Sequence, residues 1–150
     1  MSAAKTAELT IYRMHSTAFA ASDSTGAMRA PGRWHSQGTR VVYAAKHISL
    51  ALLETLIHAG GRKLPPRSLT RITVPSAVAV EVSKWLDEPA SRAFGDAWVK
   101  SSRTAVLRVP SIAVNKLEDN FVLNPAHPDF QRIRFGKAES FTLDPRYITL

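Results

Sequence analysis

One carboxylate is conspicuous for the residues around it. Glu54 lies inside the apolar run Ile48 to Ile57 and is the only acidic residue between Asp23 and Glu81. The same interval holds eight basic residues: Arg29, Arg33, Arg40, Lys46, Arg62, Lys63, Arg67 and Arg71. An isolated anion among leucines, with arginines just before it, suits a ligand that is anionic at one end and cationic at its reacting end. The stretch from Gly32-Arg33-Trp34-His35 through Tyr43 to His58 therefore organises the chain.

Other chemistries find less support. Cysteine is absent, which removes thiolate nucleophiles, disulfides and cysteine metal sites. The five histidines show no His-x-x-x-His or His-Glu-x-x-His spacing, so no metal site is expected. Neither Gly-x-Ser-x-Gly nor Ser-x-x-Lys stands where a strand turns into a helix, and no Gly-rich phosphate loop is present. A lone carboxylate, a tyrosine, a serine and two arginines remain. That set suits cleavage of a ribosyl bond to a positively charged leaving group, which passes through an oxocarbenium-like state. One ionised glutamate can stabilise that cation. Nicotinamide leaves as a neutral molecule, so no general acid is required. Arginine forks on a pyrophosphate, and an aromatic ring on the nicotinamide, would hold the rest still.

The elements that must position these groups follow from pattern. Leu9 to Arg13 alternates as a first strand, and the Ala/Ser/Gly-rich stretch from Ser16 to Pro31 reads as a loop. Arg40 to Ala45 is the next strand, and Ile48 to Ala59 a helix closed by Gly60-Gly61. Helical phase sets Glu54 beside Leu50 and Ile57, at the border of the apolar face. The alternative is an exposed Glu54/His58 pair four residues apart. Ser68 to Val74 and Val78 to Val82 alternate as strands split by Pro75 and read as a hairpin or bent pair. Ser91 to Ser102 is an amphipathic helix with Phe94, Trp98 and Val99 inward, and Trp98 is read as core. Further strands are expected at Thr104 to Val109, Phe121 to Asn124, Arg132 to Phe135 and Ser140 to Leu143, with a turn or short helical start at His127 to Phe130. The sum is an α+β domain of seven or eight strands and two main helices.

A chain of 150 residues with 45% hydrophobic content can bury roughly 70% of its unfolded surface, which supports one domain over residues 1–150. The beginning lacks an apolar signal core and the longest apolar run is broken by Glu54, so a cytoplasmic protein without a membrane span is expected. The net charge of +8 is concentrated early: residues 1–75 carry ten Lys/Arg against three acids, residues 76–150 ten against nine. A basic half fits a phosphate-bearing small molecule, an acidic partner, nucleic acid or simply a solvated surface. The basic residues stand singly and no nucleic-acid-binding signature occurs, so a nucleic-acid module is the remote alternative.

The order Tyr12-Arg13, Gly32-Arg33-Trp34, Val42-Tyr43, Leu53-Glu54, Leu107 to Ser111, Leu123-Asn124-Pro125 and His127 to Phe130 resembles the RES domain. These are the toxins of RES–Xre toxin–antitoxin systems, named for an arginine, a glutamate and a serine. The resemblance spans residues 9–135 or so. It implies an ADP-ribosyltransferase-like fold of mixed or antiparallel sheets, and consumption of NAD+ as substrate with no separate cofactor. The acceptor would be water or phosphate, or in some members a protein. By motif, Arg13 and Arg33 would hold the phosphates, Tyr43 would pack on the nicotinamide or its ribose, and Glu54 would bind ribose and stabilise the cation. Ser111 would bond in the same pocket, and Asn124 would help to shape it. Tyr43 as core and Ser111 as a strand-end cap stay open as alternatives. The resemblance also implies an Xre-like antitoxin that covers the pocket, and a homodimer. One departure is His35, where the family commonly has Asn; it could add a pH-sensitive donor near the phosphates.

Overall fold

The computed structural model describes residues 7–149. Residues 1–6 and Leu150, which the expected 1–150 domain included, lie outside the described residues. Strand β1 (Leu9–Ser16) runs three residues past its expected end. The cause is its antiparallel partner β3 (Arg67–Val74), which pairs with it in unbroken register from Leu9↔Val74 to Ser16↔Arg67. On its other side β1 meets β2 (Val42–Ala45) only at Tyr12↔Ala45. Beyond that point the two strands part.

From β2 the sheet continues through β6 (Asp119–Leu123) and β5 (Val106–Pro110) to β4 (Val80–Val82). At the far edge β7 (Arg134–Phe135) and β8 (Glu139–Phe141) both pair with β3. The order is β4-β5-β6-β2-β1-β3-β7. The expected hairpin of Ser68–Val74 with Val78–Val82 does not form, because β4 pairs with β5 in parallel. A parallel pair needs a crossover connection, and the helix between them supplies it. That helix is α3 (Ala90–Ser101).

Strand alternation sorts the side chains into two faces. Ile11, Val42, Ala44, Ile72, Phe121 and Leu123 point one way and form the larger core with Val74, Val78 and Val106. On the other face Val122, Leu107 and Val109 pack with Trp34, Val41 and Trp98 under α3. Ser91, Gly95 and Trp98 are the buried residues of α3, spaced as one helical stripe. The Trp98 indole N–H donates to Thr104 at 2.9 Å, so the ring is core as expected and its polar atom is satisfied.

Helix α2 covers Ile48–Ala59, as its apolar run and closing glycines predict; Gly60 takes the left-handed conformation at φ 57°. Leu50 and Ala51 are its inward residues and pack on Ala45 with Tyr12 and Met14. Ile57, expected inward beside Glu54, is 56% exposed. The stretch expected to be a loop holds one short helix, α1 (Thr25–Arg29). No helix among the described residues is long and apolar enough to cross a membrane.

Candidate active site

Where β1 and β2 part, they leave a cavity of about 620 Å³. Its walls come from β1, the segment 17–35, β2, α2, the start of β3 and Asn120 of β6. Arg13, Arg33, Tyr43 and Glu54 all line it. The strand separation frees the Tyr43 carbonyl, and the Arg13 guanidinium takes it, Nη1 donating at 2.9 Å. Arg13 Nε is buried without a partner. Burial pushes the Arg13 pKa down to about 10, Asp23 opposing the shift and Arg67 adding to it, so the group stays cationic at neutral pH.

Glu54 is carried to the cavity by the helix phase, four residues on from the inward Leu50. Its Oε2 accepts from the Asn120 side-chain amide and from the Ser111 hydroxyl at 3.4 Å. Oε1 has no protein partner among the described residues. Glu54 therefore does not form the exposed pair with His58; both residues line the cavity. Ser111 sits just beyond β5 and does two things, since its hydroxyl also accepts from the Ala113 N–H and caps a 3-10 turn over Ile112–Val114.

The turn that carries Arg33 is pinned from behind by α3. The Ser91 hydroxyl donates to the Arg33 carbonyl at 2.6 Å, Arg92 Nε donates to the Gly32 carbonyl at 2.9 Å, and Asp96 accepts from the Ser36 N–H at 2.9 Å. Gly95 completes the contact, because a Cβ there would lie 1.6 Å from the Trp34 carbonyl oxygen. The Arg33 guanidinium lies 4.8 Å from the centre of the Trp85 ring and 3.9 Å from Glu88.

Tyr43 and His35 lock the same turn from the front. His35 Nε2 lies 2.8 Å from the carbonyls of Ala27 and Ala30, so it carries the proton. Nδ1 then accepts from the Tyr43 hydroxyl at 2.6 Å, while that oxygen accepts from the Trp34 N–H at 3.2 Å. Burial pushes the Tyr43 pKa up, which keeps the phenol neutral. Both nitrogens of His35 are thus engaged and the residue is 2% exposed, so although it borders the cavity it has no N–H left for a phosphate, and the expectation of a pH-sensitive donor there is corrected. Gly32 is required by this packing: a Cβ would stand 2.7 Å from the His35 ring and 2.8 Å from the Tyr43 hydroxyl.

Asn124 is a correction too. It is fully buried away from the cavity, its amide donating to the Val99 carbonyl at 3.2 Å and its oxygen accepting from the Ala126 N–H at 3.0 Å. The strand register explains this: Asn120 lies opposite Ala45 and Val109, near Glu54, whereas Asn124 follows the other end of β6. Asn120, Arg67 and His15 are cavity residues that sequence reasoning missed. For Asn120 a signal existed, since it shares the parity of Val122 in a strand otherwise apolar at its centre.

The split α+β sheet thus frames a cavity in which Glu54 keeps one carboxylate oxygen uncommitted among Arg13, Arg33 and Arg67. The RES domain matches residues 10–144, and the chain belongs to that family. It is 42% identical to the Prs ADP-ribosylating toxin of Sphingobium sp. (strain YBL2) over 136 residues, covering 82% of this chain and 84% of that protein. It is 32% identical to Toxin Res of Pseudomonas putida, covering 87% and 94%. Among solved structures, the M. tuberculosis MbcT-MbcA toxin-antitoxin complex contains a chain that superposes with TM-score 0.76 at 17% identity, over 95% of this chain and 87% of that one. That likeness shows the fold.

Proposed function

We propose that this protein is the toxin of a toxin–antitoxin pair and that it cleaves the nicotinamide–ribose bond of NAD+. The observation that carries this is Glu54: a carboxylate with one oxygen held by Ser111 and Asn120 and the other uncommitted, in a cavity otherwise rich in guanidinium groups. Asp23, the other carboxylate of the lining, already accepts from the backbone and hydroxyl of Thr25. In the reaction the bond from ribose to the nicotinamide nitrogen breaks, its electron pair neutralises the pyridinium, and positive charge develops on the sugar. Glu54 stabilises that charge, and an anion already fixed in place by Ser111 and Asn120 needs little reorganisation to do so. Arg13 and Arg33 would hold the diphosphate. Water or inorganic phosphate then adds to the sugar carbon and gives up a proton. A cell could not tolerate such an enzyme uncovered, which supports pairing with an antitoxin that occludes the cavity.

The test is nicotinamide release from NAD+ by the purified chain, with and without inorganic phosphate. Glu54→Gln should lower the rate by about 100-fold or more while thermal unfolding stays near that of the parent. Equal rates for parent and variant would overturn the reading.

The name of the Sphingobium relative favours a second reading, in which the ADP-ribosyl group passes from the same cavity to a protein. Labelled NAD+ incubated with lysate distinguishes the two: label on a protein band supports transfer, and label confined to small molecules excludes it.

A further inference from the structure

Arg67 has no role in the reaction as described, yet it lines the same cavity. It is the first residue of β3 and lies across from Ser16 on β1, three register positions from the Arg13↔Thr70 pair. Its Nε is buried without a partner, as is Arg13 Nε, and these are the two such side-chain atoms among the described residues. The Arg67 side chain makes no ion pair or hydrogen bond among the described residues. Four arginines outside the cavity are matched with acids: Arg92 with Glu88, Arg103 with Glu81, Arg108 with Asp119, Arg134 with Glu8.

Withdrawing a guanidinium from water without an anion is costly, more so for the deeply buried Arg13 than for the part-buried Arg67, and two that line one cavity add mutual repulsion. Burial lowers the pKa of Arg67, and Arg67 in turn depresses that of Arg13. The nearby His15 cannot relieve them: its Nε2 is engaged with Thr70 at 2.8 Å and its Nδ1 with the carbonyls of Ser16 and Phe19. Asp23, the carboxylate near Arg13, is held by Thr25. The cavity therefore has a cationic end on the β1–β3 side, where two guanidinium Nε atoms are buried without a partner and Asp23 is the carboxylate that offsets Arg13.

We infer that Arg67 and Arg13 together seat a phosphate-type dianion or diphosphate, making Arg67 a binding residue for the anionic part of the ligand. The inference rests on the dinucleotide reading of the cavity, but its chemistry also admits free inorganic phosphate, as the acceptor of the ribosyl group. Each guanidinium presents two parallel N–H donors that match phosphate oxygens bidentately, which a lysine does not.

Isothermal titration of the Glu54→Gln protein, which would not consume its ligand, tests the seat with ADP-ribose, adenosine and inorganic phosphate as probes. Adding Arg67→Gln should weaken ADP-ribose by about 10- to 100-fold, the loss expected for hydrogen bonds to a charged group, with adenosine unaffected. Arg67→Lys should recover only part, and it guards against a folding defect together with circular dichroism of each variant. Loss confined to inorganic phosphate would assign the seat to the free anion. Affinities for both anions within twofold of the parent, in folded protein, would overturn the inference. The outcome is separable from the reaction itself. Arg67-dependent ADP-ribose binding in a chain that releases no nicotinamide would keep the seat and refute the activity. Nicotinamide release by a chain whose anion binding ignores Arg67 would do the reverse.

Discussion

The side-chain amide of Asn120 donates to Oε2 of Glu54, joining the second residue of β6 to the middle of α2. The bond fixes the rotamer of the carboxylate and leaves Oε1 for the ligand. Asn120 is on this account a positioning residue. Asn120→Ala should lower kcat for nicotinamide release by about 10- to 100-fold through misplacement of the anion, with a smaller change in KM. A steady-state series in NAD+ checks this, and a rise in KM with kcat untouched would show that Asn120 only shapes the binding site.

Gly95 touches the Trp34 carbonyl so closely that any side chain must push α3 off the turn bearing Arg33. Gly95→Ala should cost about 3 kcal/mol or more, as severe overpacking does, and should abolish activity along with it. Gly26 offers the control, because a Cβ there meets nothing within 4 Å. Gly26→Ala should be neutral or stabilising by about 0.5 kcal/mol. Urea unfolding of both variants makes the comparison.

Much of this site was legible in the sequence, and the failures have physical causes. Glu54 could be placed because helical period is a local property, and α2 has the bounds its apolar run and glycines dictate. Tyr43 and Arg33 followed from their motifs. Arg67, His15 and Asn120 were not legible, because what brings them to the cavity is strand pairing: β3 against β1, and β6 against β2. The supposed hairpin failed for the same reason, since alternation identifies a strand without naming its partner. The donor role raised for His35 came from its place after Gly-Arg-Trp, where the family commonly has Asn, whereas the carbonyls of Ala27 and Ala30 draw the ring inward.

The Tyr43 hydroxyl satisfies two buried groups at once, the His35 ring and the Trp34 N–H. Tyr43→Phe preserves the ring and strands both partners. A loss of about 1–3 kcal/mol in unfolding free energy should follow, the cost of leaving buried polar groups unsatisfied. Chemical denaturation with an unchanged m-value would attribute the loss to the native state. A variant as stable as the parent would mean that water replaces the hydroxyl.

His15 makes stability depend on pH, and the sign can be worked out. Its pKa is lowered from 6.5 chiefly by burial, with Arg13 and Arg67 adding to the shift and the carbonyls of Ser16 and Phe19 opposing it. The unfolded chain therefore binds the proton more readily than the folded one, so unfolding free energy increases with pH across the interval between the two values. Stability is complete above about 6.5 and is lost as pH falls from there through the lower folded value. Asp23, Asp96 and Asp144 have folded pKa values below 3.8, so they act only in a more acidic window. The melting temperature should thus decline from pH 7.5 to pH 5, taken as roughly one unit either side of the histidine's ordinary range. His15→Asn keeps a polar contact near the Ser16 carbonyl but cannot titrate, and its melting temperature should be flatter over the same range. An equal slope in parent and variant would place the pH dependence elsewhere in the fold. A phosphate-type ligand between Arg13 and Arg67 would neutralise two of the charges that depress His15, so its presence should also flatten the parent's slope.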